Sequence, residues 1–501
     1  MNLIAGGLTL LAACSATTRP APVVTPSPVT ARLDSAVTSF FGLNGAPGMA
    51  VVVVQGDRVI YRRAFGLADV EANRPFTPET PFYIASATKA FTGLAAAILA
   101  ERGTWNLDAP LSRYLPGIAL RSPLSADSIS IRSLLSHTHG IANSGPLTTR
   151  LAYTGDLRTR DDLRRALGQH GAAQTGRAYA YGNIGYNVAA MAMEEVTGKT
   201  WQQLLQQEVL DPAGMTQTSA FPSRFSANAL AQPYLTGPAG FTRLRYGKTD
   251  ENMQSAGGLI ATLDDMARWL EANLNDGRVG GRQVFPAAAV RQTHRNQLTG
   301  PVRARSYLPQ IGYGFGWQVS LLGEDTLLTH GGGFPGFSTN VSLFPARKTG
   351  IAIFANEGDL GTPQVEILAS VLHDIVRGRP MISADSLASI RRLFDGRRSQ
   401  IAADLQRRAA RSQVLPLPRS AYTGSFTNAI WGTIRVSLRG DTLECRMGVA
   451  QADAEVFDAE RNQLRVELLG SADIVTAVVD SGRVMALEIS GVRFSRQMGA
   501  R

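Results

Sequence analysis

Apolar residues recur at helical spacing over residues 30–41, and the pattern then shortens into two runs, 49–54 and 58–64, joined across Gln55-Gly56-Asp57. The first predicts a helix and the pair a β-hairpin. Polar residues and prolines interrupt any regular pattern until Ser86. Residues 90–99 then form a strongly apolar helix, stopped near Gly103. Further helices are predicted around 131–135, 161–167, 187–197, 201–209 and 263–273. Strand character returns over 338–356 as two β-rich runs, separated by the turn Ala346-Arg347-Lys348-Thr349-Gly350. Strands, then many helices, then strands predict an α/β (α+β) fold. Its sheet draws its two ends from distant parts of the chain, with a helical subdomain inserted.

The periodicity changes again after Ile375, where residues 383–411 read as helical, and Pro416 and Pro418 mark a boundary. Beyond Tyr422 come short alternating segments, 433–438, 463–469, 474–479 and 483–489, which predict a small all-β unit, a barrel or curved sheet. The predicted organisation is 1–13 signal segment, 14–30 tether, 31–378 main domain, 379–417 Arg-rich helical linker and 418–501 β domain.

Composition agrees with this division: 501 residues exceed one ordinary domain, and 50 glycines suit a large mixed domain with many turns. The net charge of +10 is uneven, with ten arginines and three aspartates between Arg377 and Arg419. Such a run is usually a solvated helix face or linker, and nothing resembles a nucleic-acid module, so no nucleic-acid partner is expected. Lysine is rare: only Lys89, Lys199, Lys248 and Lys348 occur.

The two cysteines, Cys14 and Cys445, predict neither a disulfide framework nor a thiolate metal site. Residues 3–13 form a short apolar run ending Leu11-Ala12-Ala13-Cys14, too short to span a bilayer. The run resembles a bacterial lipoprotein signal, cleaved before Cys14 so that this cysteine carries lipid. Residues 15–30 have the composition of a flexible tether. The expected location is the periplasm or cell envelope, lipid-anchored through Cys14.

Ser86-Ala87-Thr88-Lys89 is the first candidate for chemistry. Serine at i and lysine at i+3 share one helix face, and a helix start offers free N–H groups to developing negative charge. A buried ammonium is expensive unless paired or functionally placed. Spacing alone leaves open an N-cap serine beside a chance surface lysine.

The other segments change that balance. Pro47-Gly48-Met49, Phe65-Gly66-Leu67-Ala68-Asp69, the stretch Phe82 to Lys89, Leu107-Asp108, Tyr114-Leu115-Pro116 and the run IRSLLSHTHG from Ile131 to Gly140 occur in order. Tyr181-Gly182-Asn183, Gly185-Tyr186, Gly257-Gly258 and His330-Gly331-Gly332 follow. Together they resemble the serine beta-lactamase and DD-peptidase superfamily, particularly its class C-like branch, over residues 48–375. The resemblance implies an antiparallel sheet flanked by helices, with the Ser86 helix starting in a cleft. It implies Ser86 as the acylated nucleophile, Lys89 as the group beside it, and Tyr181 as the proton shuttle to the leaving group. Asn183 would hold Lys89 and contact substrate, and the backbone N–H groups of Ser86 and Gly333 would form an oxyanion hole. His330 and Gly332 would line the substrate.

Lys348-Thr349-Gly350 has the letters of the family's third motif but the composition of a hairpin turn. The matching segment is instead Thr329 to Phe337, which puts His330 where many relatives carry lysine. Histidine titrates near neutrality, so His330 is expected to be a weaker, pH-dependent substitute for that cation. His139 also departs from the pattern, where relatives often have serine, and is expected at a structural turn.

No metal and no cofactor are expected: only His137 and His139 are close, without an accompanying acid, and no nucleotide-binding loop occurs. The expected activity is hydrolysis of a small or short-peptide substrate with D-amino-acid character, of the kind derived from cell wall. The alternatives are a carboxylic esterase, a weak beta-lactamase, and a non-enzymatic penicillin-binding sensor or scaffold.

Overall fold

In α1 (Pro28–Phe41), the Ser27 hydroxyl accepts the N–H of Thr30 at 3.2 Å, and Pro28 occupies the first turn, where no N–H is needed. The helix therefore begins two residues before the apolar pattern does, within the stretch read as tether. The structure, a computed structural model, describes residues 27–143, 145–157, 159–173, 179–237, 240–298, 309–468 and 472–497. Cys14 and the leader lie outside the described residues.

β1 (Gly48–Gln55) pairs with β2 (Arg58–Asp69), which continues to β3 (Arg74–Pro75). Residues of β1 alternate between two cores: Ala50, Val52 and Val54 face the helical subdomain, while Met49, Val51 and Val53 face α1. Because both faces are covered, the strand reads as a continuous apolar run. The helical part contains α2 (Thr88–Glu101), α3 (Ile184–Thr197), the two-residue strand β4 (Arg245–Tyr246) and α4 (Leu263–Leu274). The helix read over 201–209 is α-helical only over Trp201–Leu205 and widens to a π turn at Gln206–Leu210.

The chain then returns to the sheet as β5 (Gln310–Tyr313), β6 (Gln318–Leu322), β7 (Asp325–Phe334), β8 (Phe337–Phe344) and β9 (Thr349–Ala355). The order is β5-β6-β7-β8-β9-β1-β2-β3, with every pair antiparallel. Lys348 sits in the β8–β9 turn at φ +45° and is exposed.

α2 is buried from Thr88 to Leu99 and crosses close to the Gly314-Phe315-Gly316 segment. A Cβ on Gly93 would meet the Phe315 carbonyl at 2.5 Å, and one on Gly316 would collide with the Ala90 backbone. Phe91 stacks on Trp269 of α4 with ring centroids 3.7 Å apart. α5 (Gly361–Val376) covers the opposite face of the sheet.

The Arg-rich segment forms one helix, α6 (Ala384–Ala409), whose only buried residue is Phe394. It is more than a solvated linker, because Phe394, Leu387 and Ile390 pack into the core shared by α1 and α5. Arg397 bonds Asp359 at 2.8 Å in mid-helix, and Arg408 pairs with Glu455 at the C-terminal end.

Beyond it, β10 (Gly424–Asn428), β11 (Gly432–Arg439), β12 (Thr442–Met447), β13 (Ala450–Asp458), β14 (Gln463–Val466), β15 (Asp473–Asp480), β16 (Arg483–Ile489) and β17 (Val492–Arg496) form a barrel. Each strand pairs with the next in the chain, β12 with β13 included, and the pairing of the first strand, β10, with the last, β17, closes it. Tyr422, Phe426, Leu443 and Phe494 belong to its core, and Cys445 is buried there as a free thiol. Backbone contacts also join the barrel to the rest. β13 pairs with β4, placing Ala450 opposite Tyr246, and the Val449 N–H donates to the Thr154 carbonyl at 3.1 Å.

Candidate active site

Phe82 and Tyr83 pair with Ala261 and Ile260, and the Ile84 N–H donates to the Leu259 carbonyl at 3.1 Å. The chain then turns at Ala85, whose φ of +47° is a left-handed conformation that costs a β-carbon residue roughly 1–2 kcal/mol. A 3-10 turn, Ala85–Ala87, presents half-buried Ser86 immediately before α2. Non-glycine strain next to a candidate nucleophile is maintained only where the surroundings over-determine it. Here a Gly257 Cβ would touch the Ala85 backbone at 3.5 Å, and Gly332 packs against the Ile84 carbonyl.

Lys89 is fully buried one turn later. Its Nζ lies 3.1 Å from Ser86 Oγ, 2.8 Å from Asn183 Oδ1 and 2.8 Å from the Ala256 carbonyl. Burial without a carboxylate partner holds its pKa well below the ordinary lysine range. The three contacts give this shift a chemical direction. Asn183 Oδ1 and the Ala256 carbonyl can only accept, so a neutral amine spends both N–H groups on them. Its lone pair is left facing Ser86 Oγ. This geometry can take a proton from the serine.

Tyr181 stands over this pair, its ring 4.9 Å from Lys89 Nζ, and is 39% exposed. Asn183 is held in turn: its N–H donates to Asn143 Oδ1 at 2.9 Å, and a Cβ on Gly182 would meet Asn143 Cβ at 2.8 Å. His137 lies behind the tyrosine, with its ring centroid 4.7 Å from Tyr181, 4.6 Å from Tyr313 and 5.4 Å from Tyr186. Its Nδ1 accepts the Gly182 N–H at 3.3 Å. Burial, then Lys89, keeps His137 neutral by lowering its pKa far below 6.5. His139 is buried and its Nδ1 accepts the Ile141 N–H at 3.0 Å, so it stabilises a turn.

The opposite wall is β7. Its hairpin to β8 closes at Phe334 and Phe337 across two residues, which makes that pair hydrogen-bonded. By alternation His330 and Gly332 also bond β8, while the N–H and C=O of Gly331 and Gly333 point to the other edge. β6 covers that edge only as far as Thr329, which pairs with Gln318. From His330 onward no strand pairs there among the described residues. The Gly333 N–H therefore looks into the cleft, where Gly333 is exposed and a Cβ would meet nothing within 4 Å.

His330 does not behave as its sequence position suggests. It is buried, and burial followed by the charge of Lys89 lowers its pKa to about 3. Its Nδ1 lies 2.7 Å from the Gly331 carbonyl, which can only accept, so the proton sits on Nδ1. The ring is neutral near pH 7 and supplies no pH-dependent cation at neutrality. That expectation is corrected.

Residues 33–371 match the family described as Beta-lactamase. The chain belongs to that family. This beta-lactamase family member is 26% identical over 316 residues to the protein flp of Staphylococcus aureus (strain COL), covering 62% of this chain and 59% of that protein. A penicillin-binding protein of Bacillus subtilis (strain 168) is 25% identical over 350 residues, covering 66% of this chain and 72% of the relative. Among solved structures, the octameric penicillin-binding protein homologue from Pyrococcus abyssi superposes with TM-score 0.60 at 19% identity, over 93% of this chain and 99% of that one. The hydrolase EstCE1 superposes with TM-score 0.58 at 22% identity, over 69% of this chain and 98% of that one. The curated match thus spans 59% of the first relative's length, and the structural likenesses establish the fold.

Asn143, His137 and the Ala256 carbonyl are the site groups that sequence reasoning missed. His137 lay inside the IRSLLSHTHG run, yet its partners are Tyr179, Tyr181 and Tyr186 from one later segment and Tyr313 from another, which only the fold brings to it. No group of three or more His, Cys, Asp or Glu able to hold a metal occurs among the described residues, and no described helix is long and apolar enough to cross a membrane.

Proposed function

We propose that this family member hydrolyses a short peptide or amide with D-amino-acid character through an acyl-enzyme on Ser86. Ser86 Oγ attacks the carbonyl carbon as its proton passes to Lys89 Nζ. The tetrahedral oxyanion rests against the N–H groups of Ser86 and Gly333, an interaction of the kind worth roughly 3–4 kcal/mol per donor in the transition state. The C–N bond then breaks, and Tyr181, next to Lys89, delivers the proton to the leaving amine. Water reverses the sequence, releasing the acid and free Ser86. The observation that carries this reading is the Lys89 geometry, with two N–H groups spent on pure acceptors and 3.1 Å to Ser86 Oγ. A solved neighbour, SurE with D-Leu (TM-score 0.54, 20% identity), supports the D-amino-acid preference by analogy.

A carboxylic ester is the second reading, favoured by the neutrality of His330, which leaves the third motif without a fixed charge for a carboxylate. Weak beta-lactam turnover and a sensor that stays acylated are the remaining outcomes. We also place the protein in the cell envelope, lipidated at Cys14. The deciding experiment compares kcat/KM for a D-Ala-D-Ala peptide, D-amino-acid amides, p-nitrophenyl esters and a cephalosporin, with Ser86→Ala as background. Peptide or D-amide release that disappears in Ser86→Ala supports the proposal; ester turnover alone leaves an esterase. Full activity in Ser86→Ala overturns the covalent mechanism.

A further inference from the structure

Lys248 lies between β4 and the turn Asp250–Asn252, only 8% exposed. Its Nζ has no hydrogen-bond acceptor among the described residues. The nearby carboxylate of Asp250 is spent on Ser223, bonding its N–H at 3.0 Å and its hydroxyl at 2.6 Å. What Lys248 does meet is an aromatic face: Nζ is 4.5 Å from the ring centroid of Phe334, the residue after Gly333.

That packs a cation, its nitrogen buried, against the last residue of the candidate cleft wall. Phe334 and His330 are separated by an even number of residues, so they share the face of β7 that looks towards Ser86. Four residues of strand span about 13 Å. The wall therefore carries neutral His330 at one end and Lys248 at the other, with Gly333 between them. Phe334 is fixed by Tyr83 and Tyr246, with centroids 6.0 Å and 4.9 Å away. Lys248 is fixed through its backbone, which hydrogen-bonds Tyr83, and through β4, which pairs with the barrel strand β13.

A ring face stabilises a desolvated ammonium by about 2 kcal/mol. Removing the ammonium from water costs several kcal/mol. The ring alone does not close that gap, and burial holds the Lys248 pKa down at about 7. An anion beside Nζ would offset the desolvation. We propose that Lys248 binds the free carboxylate of a substrate lying along the open edge of β7, so that the preferred substrates are acyl compounds ending in a carboxylate. This rests on the reading that Ser86 and β7 form the reaction cleft. It assigns carboxylate recognition to the segment tied to the barrel instead of to the third motif.

The test is equilibrium binding to the full chain carrying Ser86→Ala, which needs no turnover. N-acetyl-D-alanyl-D-alanine is expected to bind at least tenfold tighter than its C-terminal amide. Adding Lys248→Met should erase the difference, and Lys248→Arg should keep part of it, which separates charge recognition from loss of packing. The proposal is overturned if acid and amide bind alike, if neither binds, or if the preference survives Lys248→Met. Failure of the hydrolase reading shows separately, as no Ser86-dependent ester turnover in the unsubstituted protein.

Discussion

The Tyr313 hydroxyl lies 3.0 Å from His330 Nε2, on the ring nitrogen opposite the one that faces the Gly331 carbonyl. With Nδ1 carrying the proton, Nε2 accepts from Tyr313, and the neutral imidazole has both nitrogens satisfied. The ring's pKa of about 3 puts its titration outside the working range. His330→Asn is therefore expected to lower kcat/KM at least roughly tenfold, about 1.4 kcal/mol, while leaving the shape of the pH profile between pH 5 and 8 unchanged. Loss of an inflection near pH 6.5 in that variant would show that His330 is a titrating cation after all.

Acid stability should follow from the same burial. The pKa values of His139 and His294 are lowered to about 4, those of His330 and His373 to about 3, and that of His137 well below 6.5. The unfolded chain binds these protons near pH 6.5 and the folded chain does not. Their contribution is thus complete above pH 6.5 and is lost as pH falls through 6.5 towards 3. Glu357 runs the other way: burial raises its pKa to about 7, so its contribution is present below 4.5 and lost as pH rises to 7. Burial also raises Glu194, Asp265, Glu366 and Asp473, by smaller shifts than those of the histidines. The five histidines outweigh these carboxyls, and each unit below pH 6.5 costs up to about 1.4 kcal/mol per histidine. The melting temperature should fall steadily from pH 6.5 to 4.5; a rise over that interval would contradict neutral burial.

Lys348 gives a cleaner separation of motif from chemistry. It occupies the β8–β9 turn at φ +45°, where glycine is unstrained. Lys348→Gly should leave kcat/KM within about twofold and raise stability by roughly 1 kcal/mol, by removing a left-handed β-carbon residue. Thermal unfolding and steady-state kinetics on one preparation check both. A tenfold loss of activity would restore Lys348-Thr349-Gly350 as the third motif.

That contrast shows what the sequence could and could not reveal. Ser86 and Lys89 are one helical turn apart, so spacing allowed their meeting, while the place of Tyr181 and Asn183 beside them was implied only by the resemblance to the superfamily. The α/β sheet with its inserted helices, and the β-rich C-terminal unit, were likewise legible, because both depend on periodicity. Two things were not. The protonation of His330 depends on Tyr313, Gly331 and the depth of the pocket, none of which a neutral-pH reference value contains. Closure of the barrel depends on its first strand, β10, meeting its last, β17, where Phe426 faces Arg496, and alternation within each strand says nothing of it. Lys248 was visible only as a rare residue; its environment is assembled from Phe334, Tyr83 and the β4–β13 pairing.

The last prediction concerns why the barrel is there at all. Its loops clasp the segment 145–156: a Cβ on Gly145 would meet the Trp431 ring at 2.8 Å, and Arg150 donates to the Ile430 carbonyl at 3.3 Å. That segment begins two residues after Asn143, whose Oδ1 holds the Asn183 N–H, and Asn183 Oδ1 holds Lys89 at 2.8 Å. A chain of contacts thus runs from the barrel surface to the amine beside the candidate nucleophile. Coupling through such chains is typically worth roughly 0.5–2 kcal/mol, about 2- to 30-fold in rate. Trp431→Ala should lower kcat within that range and change KM little, while the barrel core, which needs Phe426 and Phe494, stays folded. Gly145→Ala, which forces a methyl against the Trp431 ring from the other side, should have the same effect. Asn143→Ala, nearer the amine, should cost more. If Asn143→Ala slows turnover while Trp431→Ala and Gly145→Ala leave kcat intact, the barrel is only packed beside the site and does not help to hold Lys89.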